Sequence, residues 1–245
     1  MKSSEKVKYI SNWIKNYADQ MPSKAQSLVI GISGGIDSSV SSTLSAMTGL
    51  KTIVLTMPIK QIENQHDLSL KHQEWLVKNF KNVEAHTINL DELFESFSNT
   101  LNKFDNEHGL ANSRARLRMT TLYQVAAANN GIVVGTGNKI EDFGVGFYTK
   151  YGDGGVDISP IADCNKTEVW EIGKELEILE EIISASPTDG LWDDGRTDEG
   201  QLGLKYQELE EAMNNPNSVN REKYEKIRKQ NLHKMEPIPV CKIPN

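Results

Sequence analysis

The sequence predicts an α/β protein, a doubly wound parallel sheet with helices on both faces. Three observations carry that expectation. Short apolar, β-rich runs recur at 27–32, 52–57, 83–88 and 132–134. Stretches with helical periodicity separate them. Glycine-rich turns follow the first and the fourth run, at the strand ends where ligands of such sheets bind.

Each element has its own warrant. Val7, Ile10, Ile14 and Tyr17 recur at helical spacing and predict an amphipathic helix over 4–19. A helix from Asp37 to Met47 closes at Gly49, a suitable C-cap. The strand Thr52–Met57 stops at Pro58. Leu68, His72, Trp75, Leu76 and Phe80 share one side of a helix over 66–80. Val83–Ile88 reads as a third strand, and Asp91 begins the helix after it. Residues 111–129 are helical up to Gly131, and Ile132–Val134 is a short buried strand. Further helices are expected over 165–178, where Asn165 and Glu168 have capping-box spacing, and over 199–213 and 219–231. Trp13 and Trp75 fit apolar core stripes. With no repeat or linker, residues 1–245 read as a single domain.

Composition narrows the class. The 245 residues are 38% hydrophobic and 25% charged, with a net charge of −7 and no basic block. That argues against a nucleic-acid partner, which usually needs clustered Lys and Arg. No apolar run reaches membrane-spanning length, and the N-terminus lacks a signal-peptide core, so a cytoplasmic location is expected. Cys164 and Cys241 form no C-x-x-C, which fits a reducing compartment and speaks against zinc. His66, His72, His86 and His108 have no metal-ligand spacing and read as surface or packing residues.

The most informative segment is Ser33-Gly34-Gly35-Ile36-Asp37-Ser38-Ser39 after the first strand. Converging N–H groups and a helix N-terminus make such a turn an anion site. Asp37 places a carboxylate where a phosphate should sit. Two anions in one pocket call for a divalent cation between them, so the loop predicts Mg2+ along with a nucleotide. It lacks the lysine of a Walker loop. It resembles instead the SGGxDS loop of the ATP pyrophosphatases, which release pyrophosphate after attack at the α-phosphorus.

Three later segments combine charge with glycine or helical spacing. Asn112–Met119 holds Arg114 and Arg118 on one helix face, with Arg116 pointing elsewhere. Gly135–Asp142 offers Glu141 as a second carboxylate for a shared Mg2+. Gly146–Pro160 carries Lys150, Asp153 and Asp157 among glycines that let the backbone approach a ligand.

With these motifs in view, the chain resembles the ammonia-dependent NAD synthetases, a family of the ATP-pyrophosphatase type. GISGGIDSS, GTGNKIED, FYTKYGDGGVDISPI, SPTDG, TDEGQLG and His233-Lys234 carry the resemblance from the first helix almost to the C-terminus. It implies an adenine nucleotide alpha hydrolase-type fold without a glutaminase domain. It also implies amidation of nicotinate adenine dinucleotide by ammonia through an acyl-adenylate, giving NAD, AMP and pyrophosphate.

The family's site residues fall on definite positions. Gly31, Ile32, Ser33, Gly34, Gly35, Ile36, Asp37 and Ser38 would bind ATP, joined by Thr136, Lys166 and Thr188. Asp37 and Glu141 would hold Mg2+. Arg116, Lys150, Asp157, His233 and Lys234 would bind the dinucleotide, and Asp153 would serve the ammonia site. Asp37, Asp153 and Lys166 are the expected catalytic residues. Arg114 and Arg118 receive no role beyond covering the surface. The family is a homodimer with its dinucleotide site across the interface. The acidic stretch Trp192–Gly200 is the candidate lid.

The chain departs from the family in small ways. Ile36 replaces glutamine, and Asn138 stands where many members carry histidine. One residue is inserted between Glu141 and Phe147; an insertion beginning earlier would move the metal assignment to Asp142. Two rival readings explain less. A tRNA-thiolating or GMP-forming enzyme on the same loop would need an RNA-binding or different C-terminal extension. A non-catalytic ATP-binding module would not account for Glu141, Asp153 and Lys166 together.

Overall fold

The computed structural model describes residues 1–60, 63–188, 191 and 196–244. Its sheet contains Ser27–Gly31 (β1), Lys51–Thr56 (β2), Val83–Thr87 (β3) and Gly131–Val133 (β4). The order is β3-β2-β1-β4 and every pairing is parallel. The helices are α1 (Ser3–Gln20), α2 (Ile36–Ala46), α3 (Glu63–Asn79), α4 (Asp91–Thr100), α5 (Glu107–Ala128), α6 (Lys166–Glu175), α7 (Glu180–Ile183), α8 (Asp198–Leu202), α9 (Tyr206–Asn214) and α10 (Arg221–Met235).

The strands split their side chains between two cores, as the period of two requires. Leu28, Ile30, Val54 and Ile132 pack with Ile14 of α1, Val40 and Leu44 of α2 and Ile172 of α6. Val29, Ile53, Leu55 and Val133 face the other way, onto Phe94 of α4 and Ala126 of α5. That is the doubly wound arrangement the sequence predicts. A third cluster, built from Ile140, Val145, Leu202, Leu209 and Tyr224, joins α8, α9 and α10 to a π-helix at Lys139–Val145.

The differences from expectation are local. The helix expected over 199–213 is two helices, because Gly203 ends α8 at φ +68° in the left-handed region. α5 begins at Glu107 because the Asn106 side chain caps it, accepting from the Gly109 N–H at 2.7 Å. β4 is extended only by a bridge from Val134 to Ile158. Trp13 is 39% exposed and lies outside the core, since its helix buries Val7, Ile10, Ile14 and Ala18 instead.

Candidate active site

The chain moves from β1 outward to β2 and β3, then returns to place β4 on the other side of β1. Ligands of open α/β sheets bind beyond the strands' carboxyl ends at such a reversal. A cavity of about 280 Å³ lies there. The turn after β1, Gly31 to Ser38, forms one wall, and Val134 to Gly137 after β4 forms another. Gly34 has φ +88°, a conformation glycine adopts without strain. Seryl hydroxyls brace the turn. Ser38 Oγ accepts from the Ser33 N–H at 3.2 Å and donates to the Gly35 carbonyl at 3.0 Å. The first N–H groups of α2, which have no carbonyl partner within the helix, begin here.

Charge concentrates on this wall. Lys166, at the start of α6, is 2% exposed and donates to Asp37 Oδ2 at 2.5 Å and to Glu141 Oε1 at 2.9 Å. Burial works against a lysine's charge, but the two carboxylates outweigh it and raise the Lys166 pKa, so the ammonium keeps its proton. The trio carries net −1. Burial, with Glu141 nearby, raises the Asp37 carboxyl although Lys166 pulls the other way. Tyr206, completely buried, donates to Glu141 Oε1 at 2.5 Å and lies 3.3 Å from Asp198 Oδ2. Burial and those carboxylates push its phenol far above the usual value, so it remains a donor.

Two oxygen ligands already bracketing one cation suit Mg2+, which typically takes one or two carboxylates together with substrate phosphates. Among the described residues no cluster of three or more His, Cys, Asp or Glu side chains is arranged for a metal.

Of the expected residues, the Gly31–Ser38 turn, Thr136, Glu141, Asp153, Lys166 and Thr188 line this cavity. Five do not: Arg116, Lys150, Asp157, His233 and Lys234. Arg116 and Lys150 are adjacent, the Arg116 Nε donating to the Lys150 carbonyl at 3.3 Å. Asp157 accepts from the Val133 N–H at 2.7 Å and from the Tyr123 hydroxyl at 3.0 Å, holding the end of β4. Lys234 Nζ donates to the Tyr148 carbonyl at 2.6 Å. His233 is exposed on α10. In the lid stretch, Thr197 caps α8, accepting from the Gly200 N–H. Positions 192–195 lie outside the described residues.

Residues beyond those assigned also bear on the site. Arg118 lines the cavity and donates to the Met57 carbonyl at 3.0 Å, while Arg114 donates to the Leu191 carbonyl at 2.7 Å. Neither merely covers the surface. Asn138 is fully buried; its amide donates to Asp37 Oδ1 at 3.2 Å, and its carbonyl accepts from the Ile140 and Glu141 N–H groups. It orients the Asp37 carboxylate and fixes the backbone at Glu141. Asp142 also lines the cavity. Burial, with Asp153, Glu141 and Asp37 close by, raises its carboxyl well above the usual range. Gly137 makes room for it: a Cβ there would lie 1.9 Å from Asp142 Oδ2.

The stretch where the inserted residue is expected, Glu141 to Phe147, overlaps a π-helix at Lys139–Val145. Glu141 contacts Lys166, and Glu141 and Asp142 both line the cavity.

The protein-family model for NAD synthase matches residues 6–242. The chain belongs to the NAD synthase family. It is 38% identical to the NH(3)-dependent NAD(+) synthetase of Carboxydothermus hydrogenoformans over 215 residues, covering 85% of this chain and 84% of the relative. The solved NMN synthetase of Francisella tularensis superposes with a TM-score of 0.88 at 33% identity, covering 100% of this chain and 99% of that one. The NH3-dependent NAD synthetase of Campylobacter jejuni, at 24% identity and a TM-score of 0.79, shares the fold. Membership of the NAD synthase family makes the chain a carbon–nitrogen ligase. No described helix is long and apolar enough to cross a membrane.

Proposed function

We propose that the chain amidates the nicotinate carboxylate of nicotinate adenine dinucleotide with ammonia, consuming ATP and releasing AMP and pyrophosphate. The observation that carries this reading is Lys166 set between Asp37 and Glu141 beside the glycine turn, with Asp153 in the same cavity.

The turn and the α2 N-terminus bind the ATP phosphates, and Thr136 and Thr188 complete the nucleotide site. A nicotinate carboxylate oxygen attacks the α-phosphorus, an acyl–O–P bond forms, and the bond to pyrophosphate breaks. The departing group carries several negative charges. Lys166 and the turn's N–H groups are aimed at them, and such a donor is worth about 2.7–4 kcal/mol in a transition state. Asp37 and Glu141 would hold Mg2+, which supplies charge neutralisation to the phosphates when bound. Asp153 takes the proton of ammonium, leaving neutral ammonia to attack the acyl carbon as AMP departs.

A cavity of about 280 Å³ is small for ATP and a dinucleotide together. Arg116, Lys150, Asp157, His233 and Lys234 lie beyond its walls, in keeping with a site completed across a homodimer. The mononucleotide is the second reading, favoured by likeness over the whole chain to the protein named NMN synthetase.

The test is mass spectrometry of the protein with ATP, Mg2+ and ammonium, offered nicotinate adenine dinucleotide and nicotinate mononucleotide in parallel. Faster loss of about one mass unit from the dinucleotide, with equimolar AMP and pyrophosphate, is the expected result. Preferential turnover of the mononucleotide would establish the second reading. No ATP cleavage with either acid would overturn both.

A further inference from the structure

Tyr206 is used by nothing in the mechanism above, yet it touches Glu141, Asp198 and Lys166. Its hydroxyl lies 2.5 Å from Glu141 Oε1 and 3.3 Å from Asp198 Oδ2. Lys166 Nζ sits 4.9 Å from the centre of its ring. The ring packs edge-on against Trp170 at 5.7 Å, and the residue is completely buried.

We infer that Tyr206 is a positioning residue, whose hydroxyl fixes Glu141 as the ligand of a nucleotide-bound divalent cation. The inference rests on the adenylating reading above. One phenolic proton can be given fully to one acceptor, and the shorter contact is to Glu141. Glu141 Oε1 then receives both the Tyr206 hydroxyl and Lys166. Oε2 is left as the oxygen available to a cation entering from the cavity. The same ring holds Lys166 by its face. When Lys166 turns toward an incoming phosphate, Glu141 loses one donor and keeps the other. Without the hydroxyl, the carboxylate would be free to rotate at the moment the cation needs it. Partners of this kind, behind a metal ligand, typically govern metal affinity by 10–100-fold.

Tyr206→Phe separates the two roles, since it keeps the ring, the Trp170 contact and the Lys166 resting place while removing only the hydroxyl. The probe is Mn2+, followed by electron paramagnetic resonance with a non-cleavable α,β-methylene analogue of ATP. The expected result is Mn2+ affinity lower by about tenfold, with the analogue's metal-free affinity unchanged within about twofold. Turnover should need about tenfold more Mg2+ for half-saturation and recover most of kcat at saturating Mg2+. Unchanged Mn2+ affinity, or equal loss of metal-free nucleotide binding, would overturn the inference. Failure of the parent protein itself to bind Mn2+ with the analogue would overturn the underlying reading as well. If Tyr206→Phe does not fold, 3-fluorotyrosine at position 206 retains both shape and hydroxyl. Its fluorine resonance should then move on adding Mg2+ and the analogue, and a resonance indifferent to both would count equally against the proposal.

Discussion

Lys166 and Asp37 are 129 residues apart in the chain and meet at 2.5 Å beyond the end of β1. Glu141 meets the same Lys166 Nζ at 2.9 Å. Lys166 thus occupies the space between two carboxylates where a divalent cation would neutralise them. Its charge stabilises the protein before nucleotide arrives.

Lys166→Met should separate these two duties. Removing one partner of a buried ion pair costs about 3–5 kcal/mol, because an uncompensated charge is left behind. Melting temperature should therefore fall in the absence of metal. Mg2+ should restore part of that loss and stabilise the variant more than the parent. Turnover should drop by about 10²–10³ even at saturating Mg2+, since a donor to the leaving group is gone. Thermal melts with and without Mg2+ check the first half. Equal stabilisation of both proteins would mean that Lys166 and the metal do not share a site.

The glycine turn of this wall was legible in the sequence because its parts are local. The strand–turn–helix at 27–46 announces itself by an apolar run, glycines and Asp37 within a dozen residues. Sheet, helices on both faces and the crevice follow from alternating periods. What stayed hidden depends on contacts made across the chain. Tyr206 looks like one more apolar position of an amphipathic helix until the fold aims its hydroxyl at Glu141. Asn138 reads only as a substitution for histidine until its amide is found on Asp37. Trp13 fits the helical stripe of α1 as well as Ile14 does, and only packing leaves it outside. Asp142 carried the faintest signal, and it lies in a π-helix that no periodicity encodes.

His72 makes stability depend on pH. It is fully buried, within 3.0 Å of Ser42 Oγ, and burial pushes its imidazole down from 6.5 to about 4. Unfolded chains therefore bind its proton near pH 6.5, while the folded protein binds it only near 4. Between those values the unfolded state holds more protons, so stability falls as the pH drops from 6.5 toward 4. Crossing the whole interval should cost ~3 kcal/mol. Urea midpoints measured through that range should decline for the parent. They should decline less for His72→Gln, which cannot titrate. Parallel curves for the two proteins would show that the acid sensitivity arises elsewhere.

Gly137→Ala should harm the site more than the fold. The new Cβ would lie 1.9 Å from Asp142 Oδ2, so the carboxylate must move. Small-to-large changes in packed places cost about 1–3 kcal/mol, which a chain of this size can absorb. Asp142 lies close to Asp153 in the cavity, however, and displacing it redistributes charge where ammonia is expected to arrive. The expected outcome is a Tm lowered by a few degrees and a kcat with ammonia reduced at least about tenfold. Normal kcat would mean that Asp142 stands aside from the chemistry.

Tyr148 and Lys234 clasp each other: the Tyr148 hydroxyl donates to the Lys234 carbonyl, and Lys234 Nζ donates to the Tyr148 carbonyl, both at 2.6 Å. The lysine also lies 5.0 Å above the tyrosine ring. These contacts tie the end of α10 to the loop that holds Asp153, whose carboxylate in turn accepts from the Thr149 N–H at 3.0 Å. Tyr148→Phe removes one bond and keeps the ring, a loss of about 0.5–1.5 kcal/mol. Because the clasp acts on the loop that holds Asp153 and not on the glycine turn proposed to bind ATP, the KM for the nicotinate substrate should rise several-fold while the KM for ATP stays near its parent value. Steady-state kinetics with each substrate varied in turn would measure the split. Equal rises in both constants would point to general loosening and would remove the clasp from any selective part in holding the acid substrate.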